Sequence, residues 1–125
     1  QDMFKEIILL FKKYFNAEDE FNAYRGPDKY SSNTTEFTKE YIRLSQNYFG
    51  IQADLEIMLS QIEGHHQDCD AKLYWHIKTW YDIHNLAKDN PGRMIHTNNL
   101  SSLCVDVMEL SVKSNQELRQ YINSI

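Results

Sequence analysis

The chain has 125 residues, 42% of them hydrophobic and 25% charged, with four glycines and two prolines, which is the composition of one ordinary globular domain (1–125) and excludes disordered, collagen-like and disulfide-scaffold classes. Thirteen Lys and Arg against eighteen Asp and Glu give a net charge of −5, which argues against a phosphate-backbone binder and so against a nucleic-acid partner. The longest apolar run, Ile7 to Phe11, is five residues, too short for membrane insertion or a signal-peptide core.

Gly26-Pro27, Gly64 and Pro91-Gly92 divide the chain into four segments, each long enough for a helix. The first, about 2–24, carries Phe4, Ile7, Ile8, Phe11, Tyr14, Phe15, Phe21 and Tyr24 at three- and four-residue steps, with Asp2 as a cap. The second, about 34–63, alternates the same steps through Phe37, Tyr41, Leu44, Tyr48, Ile51, Leu55, Met58 and Ile62. That is a heptad seam, the mark of a long helix lying nearly parallel to its neighbours. Asn33 and Glu36 read as its capping pair.

The third segment, about 70–88, places Leu73, Ile77, Trp80, His84 and Ala87 on one stripe that Tyr74 and Tyr81 widen, and Asp68 or Asp70 caps it. The fourth, about 98–125, shows Leu100, Leu103, Cys104, Val107, Leu110, Leu118, Tyr121, Ile122 and Ile125. Its seam weakens over 111–115, where the polar run reads as a splay or an exposed patch. No alternating strand pattern competes. The expected fold is therefore all-α, a four-helix bundle.

Chain reach sets the expected topology. A helix of 28 residues is about 42 Å long, whereas the first and third connections, of about eleven residues, span at most about 37–40 Å. Crossovers are barely affordable, so up-down-up-down is favoured. Such a hairpin offsets Cys69 from Cys104 by about 20 Å, whereas a disulfide needs Cα atoms within about 7 Å. Both thiols are expected to be free. A Cys69–Cys104 bridge would instead indicate a crossover bundle in an oxidising compartment.

Candidate chemistry is sparse. Glu63-x-x-His66 has the spacing that puts two metal ligands on one helix face, and Cys69 lies three residues further on. A second such motif and further ligands at fixed spacing are missing, so no cofactor or metal is expected, and Glu63, His66 and Cys69 stand as candidates only. His84 and His96 lack the surroundings of a phosphorelay histidine and read as core or rim residues. No nucleophile elbow, glycine-rich phosphate loop or catalytic carboxylate pair occurs, which disfavours an enzyme. The aromatic load is bundle filler, with Trp75 and Tyr81 as candidates for a protein contact. Asn33-Thr34-Thr35 and Asn99-Leu100-Ser101 are glycosylation sequons.

Three blocks of sequence add a resemblance. Gln1-Asp2, Phe4-Lys5-Glu6-Ile7 and Lys12-Lys13-Tyr14-Phe15-Asn16-Ala17 resemble the mature amino terminus and first helix of the interferon gamma family. Ile57-Met58 with Ser60-Gln61-Ile62 is similar to part of that family's central helix, and Val107-Met108, Leu110-Ser111 and Lys113-Ser114-Asn115 to the close of its last. The blocks occur in family order over about a quarter of the chain. The chain departs from the family at Glu63, Gly64, His65 and His66, which break the apolar pattern after Ile62. It is acidic where the family is basic, and Gln116–Ile125 stands in place of a basic tail. No receptor-contact residue is carried over.

The resemblance implies a secreted, glycosylated helical cytokine that acts on a receptor. The expected function is accordingly non-enzymatic protein–protein binding by an extracellular signalling ligand, and a homodimer is compatible with the same surface. An intracellular adaptor or subunit bundle, cytoplasmic or periplasmic, or the sensor domain of a larger receptor, is the alternative. A metal-binding bundle comes third. The start at Gln1 is what a processed or excised piece would show.

Overall fold

The structure, a computed structural model, describes residues 2–24, 35–89, 94–96 and 104–125. Among the described residues it is all-α, with four helices: α1 (Asp2–Tyr24), α2 (Thr35–Leu59), α3 (Ala71–Asp89) and α4 (Val107–Asn123). A 3-10 turn, His66–Asp68, precedes α3. Contacts gather the chain into two compact units, 1–62 and 63–125. No described helix is long and apolar enough to cross a membrane.

In the first unit α1 and α2 run antiparallel, as ring pairs along their length show. Tyr24 stacks on Phe37 at 5.0 Å, Phe21 meets Tyr41 at 5.3 Å and Tyr48 at 5.6 Å, and Tyr14 stacks on Tyr48 at 5.2 Å. Each such pair is worth about 0.5–1.5 kcal/mol beyond area burial. Ile7, Phe11, Leu55, Leu59 and Ile62 are fully buried, so the three- and four-residue spacing does mark the buried faces. The tyrosines keep their hydroxyls bonded: Tyr14 Oη and Tyr48 Oη lie 3.0 Å apart, and Tyr24 donates to the Phe37 carbonyl at 3.1 Å.

Helix α2 ends at Leu59, short of the expected 63. Its last turn tightens into i→i−3 bonds, from Gln61 N to Met58 O and from Ile62 N to Leu59 O. The Ser60 hydroxyl donates to the Ile57 carbonyl at 2.7 Å. Gly64 then turns the chain at φ +86°, a left-handed conformation that favours glycine.

In the second unit α3 and α4 are also antiparallel. Leu73, Ile77 and Trp80 of α3 and Leu118 and Ile122 of α4 are buried. The fourth helix starts at Val107, not near 98 as expected. Residues 94–96 and 104–106 form two three-residue strands, β1 and β2, paired antiparallel with Met94 opposite Asp106, Ile95 opposite Val105 and His96 opposite Cys104. The ladder occupies backbone groups that a longer helix would have used.

The polar run of 111–115 is likewise corrected. Ser114 is 7% exposed and donates to the Ser111 carbonyl at 3.2 Å, while Asn115 Oδ1 accepts the indole N–H of buried Trp80 at 2.9 Å. Ser114 and Asn115 thus lie on the helix–helix contact, which the Trp80–Asn115 bond helps to hold, while Val112 and Lys113, between Ser111 and Ser114, are exposed. Replacing Asn115 with Ala strands a buried donor, which costs about 1–3 kcal/mol. Denaturant unfolding should show that loss for Asn115→Ala at unchanged helicity; an unchanged midpoint would mean the indole is satisfied elsewhere.

Candidate functional site

The turn between α2 and α3 holds the densest polar cluster that the sequence singled out, and the structure disperses its proposed ligands. The ligand spacing of Glu63 and His66 requires a shared helix face. Because α2 stops at Leu59 and Gly64 turns the chain, they share none. Both are exposed, and the His66 ring meets Tyr74 edge-on at 6.1 Å. His65 Nδ1 bonds Asp68 Oδ2 at 2.8 Å, which holds the Asp68 carboxyl below its ordinary range. Among the described residues no three His, Cys, Asp or Glu side chains gather at metal-holding distance.

Cys69 is half-buried and free, and its Sγ donates to the Asp70 carbonyl at 3.5 Å. Burial pushes its pKa up, and the neighbouring Asp70 and Asp68 charges push it further. A thiol that resists ionisation is a poor nucleophile and a poor metal ligand at neutral pH. The other cysteine, Cys104, lies in β2.

Asp70, beside it, is the organising residue. Its Oδ2 accepts the backbone N–H groups of Lys72 at 3.0 Å and Leu73 at 3.2 Å, capping α3 as one of the two expected aspartates. The same oxygen accepts the Tyr121 hydroxyl from α4 at 3.0 Å. Hydrogen bonds from Leu73, Tyr121 and Lys72 hold the Asp70 carboxyl below its ordinary range. The Tyr121 ring stacks on His76 at 4.9 Å, and the Lys72 ammonium stands 5.8 Å above it. Sequence reading found the cap but missed Tyr121, because a tyrosine on an apolar stripe does not announce its hydroxyl's partner.

The remaining candidates separate by exposure. Trp75 is 68% exposed on the side of α3 opposite Leu73, Ile77 and Trp80, and Leu86 is exposed on the same side. Tyr81 is half-buried. His84 is a rim residue, stacked on Trp80 at 4.8 Å with the planes 6° apart. Lys78 pairs with Asp82 at 2.9 Å, which raises the lysine pKa. The sequon residues Asn33 and Asn99 lie outside the described residues. An exposed apolar row on α2, comprising Ile42, Phe49 and Ile57, is masked in the sequence by the stronger periodicity of the seam opposite.

No protein-family model, no curated protein and no solved structure matches this chain.

Two outcomes follow from the turn. Asp70 has a folded pKa below its unfolded value, so its contribution is fully present above about pH 4 and is lost as pH falls through the lower folded value. The melting-temperature gap between wild type and Asp70→Ala should therefore hold steady above about pH 5 and close in stronger acid. A gap that persists undiminished in strong acid would show that the ionised carboxylate is not what caps α3. For Cys69, alkylation should be slower than that of a free cysteine at neutral pH and should catch up only in alkali; fast neutral labelling would contradict the raised pKa.

Proposed function

We propose that this protein is a non-enzymatic binding ligand, a secreted helical signal of cytokine type that acts by docking on a protein receptor. The observation that carries the reading is Trp75, a tryptophan 68% exposed on the outer face of α3. An indole in water forgoes burial that a core position would give it, and tryptophan is among the residue types that dominate binding energy at protein interfaces. Trp75 is presented by a helix fixed on its other face by Leu73, Ile77 and Trp80 and at its start by Asp70, so little ordering is needed on docking. The Asn33 and Asn99 sequons suit a glycoprotein exported through a eukaryotic secretory pathway. The three blocks similar to the interferon gamma family favour the same reading.

The test is saturable binding of labelled protein to intact cells of the encoding organism. Unlabelled protein should displace the label, and Trp75→Ala should weaken binding by about thirtyfold or more, the scale of an interface hot spot, while helicity and melting temperature stay unchanged. Non-saturable binding, or equal binding by the variant, would contradict the proposal.

A further inference from the structure

Helix α2 has two apolar faces. Leu44, Leu55 and Leu59 are buried, whereas Ile42, Phe49 and Ile57 are 46%, 52% and 61% exposed. At about 100° per residue, Ile42, Gln46, Phe49, Ala53 and Ile57 fall within about 80° of the helix circumference, opposite the buried leucines. None of the five is charged. Gly50 borders this stripe, and a Cβ added there would meet nothing within 4 Å. Glycine is disfavoured inside a helix, and nothing around Gly50 in the chain itself requires it. Beside Phe49 it leaves room for another backbone to come close.

The stripe is nearly symmetric about Phe49, with an isoleucine at each end. A two-fold axis through Phe49, perpendicular to α2, sets Ile42 within one residue, about 1.5 Å, of the partner's Ile57 and Gln46 within one residue of the partner's Ala53. That rotation brings each flank of the helix against the same flank of its copy. Arg43 and Asp54 share one flank, about 20° apart, and their midpoint lies within half a residue of Phe49. Arg43 therefore meets the partner's Asp54, and Asp54 meets the partner's Arg43. Within one chain the two lie about 16 Å apart along the helix and cannot pair. Arg43 also donates to Glu40 through Nε at 2.9 Å and Nη2 at 2.6 Å, an exposed two-point pair that the partner's Asp54 must share or displace.

We propose that the outer face of α2 is a self-association surface, on which a second copy of this chain docks antiparallel about Phe49 with two Arg43–Asp54 pairs across the axis. The apolar stripe supplies the burial, Gly50 and Ala53 the close approach, and the charge pairs the register. Four turns of helix lie at the small end of stable interfaces, so the dimer forms reversibly with concentration. This association is independent of the Trp75 face, and a failure of either leaves the other standing.

Sedimentation of the full chain over a wide concentration range tests it. Wild type should rise toward twice the monomer mass. Arg43→Glu and Asp54→Arg should each weaken dimerisation at least about tenfold, because each homodimer then faces like charge with like charge twice. An equimolar mixture of the two variants should regain the dimer, since Glu at 43 then meets Arg at 54 and the native Asp54 meets the native Arg43. Both positions are exposed, and unchanged circular dichroism checks that each variant folds. A wild type monomeric throughout, single variants that dimerise like wild type, or a mixture that stays monomeric would each overturn the proposal.

Discussion

One carboxylate oxygen, Asp70 Oδ2, fixes where α3 begins and which part of α4 lies beside it. It satisfies two of the amide donors that any helix start leaves unpaired, and it holds the Tyr121 hydroxyl fifty-one positions away. Apolar burial between Leu73, Ile77, Leu118 and Ile122 supplies the larger energy but has little direction. A one-turn slip of α3 along α4 would keep much of that burial. It would break the Asp70–Tyr121 bond and, further along, the Trp80–Asn115 bond. The two polar contacts bracket Leu73, Ile77 and Leu118 and leave one register that satisfies both.

The first unit solves the same problem with tyrosine. The Tyr14 and Tyr48 hydroxyls meet, Tyr24 reaches the Phe37 carbonyl, and the rings beneath them stack. Each ring contributes burial while its tip contributes direction, so one residue type does both tasks. The eight tyrosines of the sequence are in part a device for setting register. Among the described residues no buried side-chain nitrogen or oxygen lacks a partner.

Periodicity made the helices legible because burial follows helical geometry: the bounds of α1, the start of α2 and the span of α3 lie within a residue of the pattern. It misled where a residue's role depends on what stands opposite. Asn115 looks like a gap in a seam until Trp80 is known to face it. Residues 104–106 carry the apolar character of a helix start, yet they pair as a strand with 94–96, a partnership set by chain meeting chain and not by local pattern. Glu63 and His66 have ligand spacing only if the helix continues, and the Ser60 hydroxyl and Gly64 see that it does not. Functional reading suffers in the same way. Trp75 was picked out by residue type, whereas the α2 stripe emerges only when exposure separates one face of Ile and Phe from the other.

Each antiparallel pair buries one face of its helices by directional contacts and leaves apolar side chains exposed on a second face. The two tryptophans of α3 report on it most directly, because they share a helix and differ in surroundings. Hydroxyl-radical footprinting of the dilute protein, read by mass spectrometry, should oxidise Trp75 fast and Trp80 slowly, and Asn115→Ala should speed only Trp80. Comparable rates at both tryptophans, or a protected Trp75, would contradict the account.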